Sequence, residues 1–376
     1  MKILLLSAYD ADSHRRWCNT LMAAFDEHEW TSLVLPPRHF NWRIRGNSLS
    51  WAFGEKPVLD RDYQLIIATS MVDLSALRGF VPALGSIPTL VYFHENQFAY
   101  PQSSNQFSAI EPCILNLYTA LAADSCVFNS RYNDSSFFLG ADALLNKLPD
   151  GIPKGIVEHI RQKSSVLAVP LESRCFHQRK GESSGPLSVI WNHRWEYDKA
   201  PERLFSGLRQ ALEKGASLEL HVVGQRFRRC PDVFAEMHSY LQRSFPGVLK
   251  TWGYVECEEA YRELLSRSDV VLSTALHDFQ GLSVMEAVAA GCIPLVPARL
   301  CYGEWFDERY QYTSSIDNPL EEASSLGSRL VKLSALKSQR QLPESVDLQC
   351  LSMGSLRPHY EEIFRKTIDR HSKLRG

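Results

Sequence analysis

Two carboxylates separated by seven residues, Asp278 and Glu286, frame the stretch whose side chains are best placed to do chemistry, HDFQGLSVMEAVAAGCIPLVP at 277–297. Between them Gly281, Leu282 and Ser283 can open a helix, and Gly291-Cys292 breaks it before the apolar run 293–296. That order puts one carboxylate on a loop, free amides at a helix N-terminus and the second carboxylate one turn into the helix. The amides and the dipole at a helix start favour phosphate, and carboxylates accept hydrogen bonds from sugar hydroxyls. The stretch suits a ligand with a diphosphate between two hydroxylated sugars. An ordinary loop and buried helix of an α/β domain would carry the same residues, so the module needs support from elsewhere in the chain.

The segment WNHRWEYDKAPE supplies some. Arg194 and Lys199 follow the apolar run 187–191, and two cations at a strand end would neutralise a diphosphate leaving group, Arg by a bidentate contact and Lys by a point contact. A solvated charged loop is the plain alternative. The order along the chain favours the site: strand, Arg/Lys loop, Val222-Val223-Gly224, Thr251-Trp252-Gly253-Tyr254, then the acidic module. In the first half, VYFHENQ sets His94 directly after the run 89–93 with Glu95 beside it, although a lone histidine at a strand end is as readily structural. Asn129 and Ser130, after the run 125–128, are expected to cap the next helix.

A second kind of chemistry lies near the start. SHRRWCNTL (13–21) and LPPRHFNWRIRGNSLSWAF (35–53) interleave Arg15, Arg16, Arg38, Arg43 and Arg45 with Trp17, His39, Phe40, Trp42 and Trp51, and no acidic residue occurs from Thr31 to Gly54. Arginines among flat rings suit a nucleic acid, with cations for phosphates and rings for unstacked loop bases. An amphipathic loop and helix packed at a domain surface would read the same way.

Such residues need a scaffold. Apolar runs at 3–6, 32–35, 65–68, 89–93 and 125–128, and again at 187–191, 218–223, 248–251, 270–273 and 293–296, alternate with helix-like spacing at 110–122, 203–214 and 258–266. Short apolar runs alternating with helices indicate βαβ units and parallel sheets. At 376 residues the chain exceeds the usual single core. The expectation is α/β, two Rossmann-like doubly wound domains at 1–175 and 176–355, with 356–376 a C-terminal helix packing back on the first. LESRCFHQRKGESSGP, 171–186, is the linker candidate. Ligands bind beyond the carboxyl ends of parallel strands, so an interdomain cleft is the expected site.

Composition excludes several classes. Hydrophobic content of 44%, charged content of 22% and a net charge of −2 are those of an ordinary globular protein, so a nucleic acid must bind a local basic patch. There is no G-x-G-x-x-G after the first strand and no P-loop, which disfavours a dehydrogenase or a P-loop NTPase. The nine scattered cysteines lack zinc spacing and fit a reducing cytosol. MKILLL is too short for a signal peptide, and no run reaches membrane-spanning length, so a cytoplasmic location is expected. Asp10-Ala11-Asp12 matches D-x-D formally but sits in the turn after the first run; no metal and no cofactor are expected.

The second half resembles the nucleotide-binding half of GT-B glycosyltransferases, in the large retaining group with many mannosyl- and glucosyltransferases. The group's module is usually E-x7-E; here Asp278 takes the first place, and the spacing of Arg194 and Lys199 is one residue shorter than is common. The resemblance implies that Arg194 and Lys199 hold the donor diphosphate and that Glu286 binds the ribose. Asp278 would bind the transferred hexose, with His94 touching it too, and Gly281, Leu282 and Ser283 would supply backbone beside phosphate and sugar. PPRHFNWRIRGNSLSWA and the S-H-x-x-W of residues 13–17 closely resemble the N-terminal domain of the tRNA-queuosine α-mannosyltransferase family, and the likeness extends through WNHRWEYDKAP to the acidic module. It implies transfer of mannose from GDP-mannose to the cyclopentene-diol of queuosine in a tRNA anticodon loop. Arg15, Arg16, Arg38, His39, Trp42, Arg43 and Arg45 would then face the tRNA, and no protein partner is implied. Where GT-B enzymes often carry glycines after the first strand, this chain has Ala8-Tyr9-Asp10-Ala11-Asp12. Two alternatives stay open: a saccharide or small-molecule acceptor, and a non-catalytic tRNA-binding protein with a decayed donor site.

Overall fold

The apolar runs become the strands of two parallel sheets in a computed structural model that describes residues 1–100, 110–147, 151–176, 185–226 and 230–375, without the side chains of Asn41, Leu374 and Arg375. Of the expected linker, residues 177–184 lie outside the described residues. The chain divides into two units, Met1–Pro170 with Leu351–Gly376, and Leu171–Cys350.

In the first unit β1 (Lys2–Ser7), β2 (Glu29–Val34), β3 (Leu65–Thr69), β4 (Thr89–Phe93), β5 (Ser125–Phe128) and β6 (Ser164–Val166) lie in the order β2-β1-β3-β4-β5-β6, every described pairing parallel. β3, β4 and β5 are buried at every residue, as strands covered by helices on both faces must be. The edge strands β2 and β6 are mostly uncovered. The helix Met353–Arg375 belongs to this unit: Tyr360 accepts a hydrogen bond from the Trp17 indole at 3.1 Å and donates to the Ala168 carbonyl at 3.0 Å, and Phe364 packs on Phe25.

The second unit has β7 (Leu187–Asn192), β8 (Leu218–Val223), β9 (Leu249–Gly253), β10 (Val270–Leu272), β11 (Ile293–Pro297) and β12 (Gln311–Tyr312), in the order β12-β11-β10-β7-β8-β9, again all parallel. The order reverses between β7 and β10, and the carboxyl ends of the two strands flanking a reversal are where such sheets bind ligands. The helix Pro201–Glu213 starts on a proline whose missing N–H costs nothing in the first turn. It packs on the helix Pro319–Ser338, with Gly207 against Leu326 so closely that an added methyl would stand 2.6 Å from that side chain. All nine cysteines are free, and Cys18, Cys126, Cys292 and Cys301 are buried as small core residues.

Candidate functional site

β7 ends at Asn192 and leads into His193 and Arg194, and β10 runs into the loop that carries His277 and Asp278, so the reversal point brings these two loops together. They are stitched tightly. The Leu276 amide donates to the Asp198 carbonyl at 2.8 Å, and the Thr274 hydroxyl donates to the Lys199 carbonyl at 2.7 Å. The Trp191 indole donates to Thr274 at 3.1 Å. Behind them Arg299 holds the Ala275 and Thr274 carbonyls, and its own charge, with that of Arg203, meets the buried Glu322.

Lys199 and Asp278 form the centre. The Lys199 ammonium lies 2.5 Å from the His277 carbonyl, 3.2 Å from Asp198 and 3.3 Å from Asp278, and is 6% exposed. Burial opposes its charge, but Asp278 and Asp198 hold its pKa above the ordinary lysine value. Burial likewise disfavours the Asp278 carboxylate. Lys199, His193 and the Tyr302 hydroxyl, which donates at 2.9 Å, outweigh it and hold its pKa below the usual aspartate value. Asp278 is therefore ionised at neutral pH and fixed from two sides.

Gly281 starts the helix Leu282–Ala289 with φ of 71°, and a side chain there would meet the Tyr302 ring at 2.9 Å. Glycine answers both demands. Asn192 reaches this helix through a hydrogen bond to the Ser283 carbonyl at 2.7 Å, and His193 Nδ1 lies 3.4 Å from the Ser283 hydroxyl. Burial pushes His193 and His277 down to about 4, so both rings are neutral at pH 7. Glu286 stands one turn into the helix and is half-buried. Arg194 is half exposed and pairs with Glu196 at 3.0 Å, whereas Lys199 is buried.

The first unit places His94 just beyond β4, 6% exposed, with its ring against His14 (4.3 Å), Trp17 (4.7 Å) and Tyr92 (4.7 Å). Burial, and then His14, holds its pKa well below the ordinary value, so it is a neutral hydrogen-bonding group. His14 is set by its Nδ1, 2.7 Å from the Tyr9 carbonyl, and its Nε2 faces Glu95 at 3.7 Å. Ser130 caps the next helix by accepting from the Asn133 amide at 2.9 Å. Asn129 does not share in this: its amide donates to the His94 carbonyl at 2.8 Å and braces the ends of β4 and β5.

The Arg-aromatic segment divides. Trp17 stacks on Tyr92 and Trp51 is 2% exposed, so both serve the core and neither is open to a base. Phe40 is half-buried against Tyr9. Arg15, Arg16, Arg38, His39 and Trp42 are exposed, and Arg43 is partly so. Arg15 pairs with Asp12 and, at 3.8 Å, with Asp10, so the formal D-x-D is engaged by an arginine. Arg45 is committed to Asp73 at 2.8 Å and approaches Glu111 at 3.4 Å. Among the described residues no cluster of His, Cys, Asp or Glu is placed to hold a metal ion, and no helix is long and apolar enough to cross a membrane.

Tyr302, Asp198, Asn192, His193 and His14 were not singled out as functional from the sequence. Asn192 and His193 stand inside WNHRW and His14 inside SHRRW, so a signal existed for them; Tyr302 has none.

A family model described as tRNA-queuosine alpha-mannosyltransferase N-terminal matches residues 2–171. A Drosophila melanogaster protein named tRNA-queuosine alpha-mannosyltransferase is 30% identical over 375 residues, spanning 97% of this chain and 97% of its own. Among solved structures, Anabaena HepE in complex with UDP and glucose matches with a TM-score of 0.63 and 13% identity, covering 100% of this chain and 98% of that one. The catalytic domain of starch synthase IV from Arabidopsis thaliana, bound to ADP and acarbose, matches with a TM-score of 0.64 and 11% identity, covering 98% and 99%. At these identities the structural likeness establishes the fold, which is GT-B.

Proposed function

Because the chain belongs to the tRNA-queuosine alpha-mannosyltransferase family, we propose that it transfers mannose from GDP-mannose to the cyclopentene-diol of queuosine in a tRNA anticodon loop, with retention of anomeric configuration. The observation that carries the donor half is the buried Lys199–Asp278 pair beside the amino end of the helix Leu282–Ala289. A decayed donor site would have no reason to keep a buried carboxylate ionised and clamped by Lys199 and Tyr302, since burial of charge is unfavourable.

In this reading the helix amides from Leu282 onward receive the diphosphate, and Arg194 swings from Glu196 to meet it. Lys199, whose three protons already face three oxygens, acts as a fixed positive charge behind Asp278 and adds its potential to the leaving group. Preorganised charge of this kind often supplies the largest share of catalysis. Asp278 accepts hydrogen bonds from hexose hydroxyls, and Glu286 from the ribose. His94, neutral, also touches the hexose in this reading. The bond from the anomeric carbon to the diphosphate oxygen breaks, the bond to the acceptor oxygen forms on the same face, and the acceptor proton passes to the departing diphosphate. No separate protein base is required.

The test is incubation of the purified protein with labelled GDP-mannose and queuosine-containing tRNA, followed by nucleoside mass analysis, with UDP- and ADP-sugars, tRNA lacking queuosine and free saccharides as parallel arms. A hexose on queuosine from GDP-mannose alone is the expected result. Transfer only to saccharides refutes the acceptor, and transfer only from another nucleotide sugar refutes the donor. Neither transfer nor donor hydrolysis in any arm would return the protein to a binding role.

A further inference from the structure

The helix Phe40–Gly54 buries Ile44, Trp51 and Ala52, all under 5% exposed, and leaves Leu49, Phe53 and one indole outside: Trp42, 53% exposed. Its neighbour one turn on is Gly46. A methyl group on Gly46 would stand 2.3 Å from Cε2 of the Trp42 ring, 2.6 Å from Cζ2 and 2.7 Å from Cδ2. Nearly equal distances to three contiguous ring atoms mean that the ring lies face-down on the Gly46 backbone, since an edge contact would separate them. Positions i and i+4 share one face of a helix, and only glycine leaves room for the ring to lie flat there. One face of the indole is thus seated on main chain, and its exposure belongs to the other.

We propose that Trp42, seated on Gly46, is a stacking platform for one unpaired base of the RNA acceptor; this rests on the tRNA reading above. An exposed aromatic could equally meet a protein. The flanking sequence favours RNA: Arg38 is exposed, Arg43 is partly exposed, no acidic residue occurs between Thr31 and Gly54, and the carboxylates nearest Arg45, Asp73 and Glu111, are engaged by that arginine. The other two tryptophans of the Arg-aromatic segments are in the core, so Trp42 alone among their tryptophans is open to a base. A ring with its plane already fixed loses little freedom on stacking. Stacking tolerates any base, so the platform reads an open loop in preference to a sequence, and Gly46 acts as its positioning residue.

The test uses the full-length protein and a tRNA anticodon stem-loop in which loop nucleotides are made abasic one at a time. Trp42→Ala should weaken binding about ten-fold, within the range for one base–aromatic stack, while the slope of affinity against salt stays unchanged because no phosphate contact is lost. Trp42→Phe should keep most of the affinity. Gly46→Ala should lose it although no side chain that touches RNA has been removed. One abasic position should weaken the wild type by a similar factor and have no further effect in Trp42→Ala. Unchanged affinity in Trp42→Ala would leave the ring to a protein partner and overturn the proposal, as would abasic losses that all add to that of Trp42→Ala. An unfolding midpoint of Trp42→Ala equal to that of the wild type certifies its fold should Gly46→Ala fail to fold. A wild-type protein that turns over donor but binds no stem-loop refutes the tRNA reading itself; a wild type that binds with purely additive losses refutes only the platform.

Discussion

Replacing Lys199 by methionine keeps the stem and removes only the charge. At an effective dielectric of about 20, opposite charges at the observed 3.3 Å attract by about 5 kcal/mol. Part of this is already offset by the burial of the ammonium, and removing one partner of such a buried pair is expected to destabilise by about 3–5 kcal/mol. The pH dependence follows from the signs. In the wild type Asp278 lies below its unfolded value, so its stabilisation is present above about pH 4 and is lost only as pH falls through the lower folded value. Lys199 lies above its unfolded value, so its share is complete below about pH 10 and is lost as pH rises beyond the folded value. Between pH 5 and 7.5 the pair therefore contributes a constant amount. In Lys199→Met burial is no longer outweighed, the Asp278 pKa rises, and protonation relieves the penalty as pH falls. Denaturant unfolding followed by tryptophan fluorescence, as a difference from wild type at each pH, should show a large deficit at pH 7.5 that shrinks at pH 5. Asp278→Asn in the same background should recover much of the deficit at pH 7.5. A deficit under about 1 kcal/mol, or one equal at both pH values, refutes the view of this pair as the electrostatic centre of the second unit.

Other outcomes follow from the same geometry. Tyr302→Phe removes the hydroxyl that donates to Asp278, a bond to a charged group worth about 1.5–3 kcal/mol, and should raise the KM for the nucleotide-sugar donor roughly ten-fold or more in steady-state assays. Arg45→Ala strips the partner from Asp73, whose carboxylate also caps the helix Leu74–Phe80. With Arg45 half exposed, the loss should be about 1 kcal/mol, and the salt slope of tRNA binding should barely move, whereas Arg38→Ala should lower it by about 1. His193 and His277 have folded values near 4, below their unfolded value of about 6.5, so their neutral burial destabilises the fold progressively as pH falls between those limits. His193→Gln should flatten that decline in unfolding midpoints measured from pH 7 to 5.

The parallel sheets were legible because strands buried on both faces must be continuously apolar, as 65–68 and 293–297 are. β6, with Ser164 and Ser165, and the two-residue β12 were not, since edge strands need little burial and leave no apolar run. The helix Pro319–Ser338 also went unread: its helical spacing is diluted by Ser and Gly, and it is the close approach to Gly207 that shows the use of its small residues.

In the site, local sequence determined the types and order of the groups: a carboxylate, a glycine that can take positive φ, a helix start, a second carboxylate, and cations after a strand. Those properties are set by residues a few positions apart, where chain geometry allows few arrangements. Tertiary structure alone decided which groups are paired. It turned Lys199 inward onto Asp278 and left Arg194 at the surface, brought Tyr302 up behind the carboxylate, and sent Trp17 and Trp51 into the core while leaving Trp42 outside. Side chains of one type differ here only in what the distant chain places beside them, and burial and charge pairing depend on those long-range neighbours.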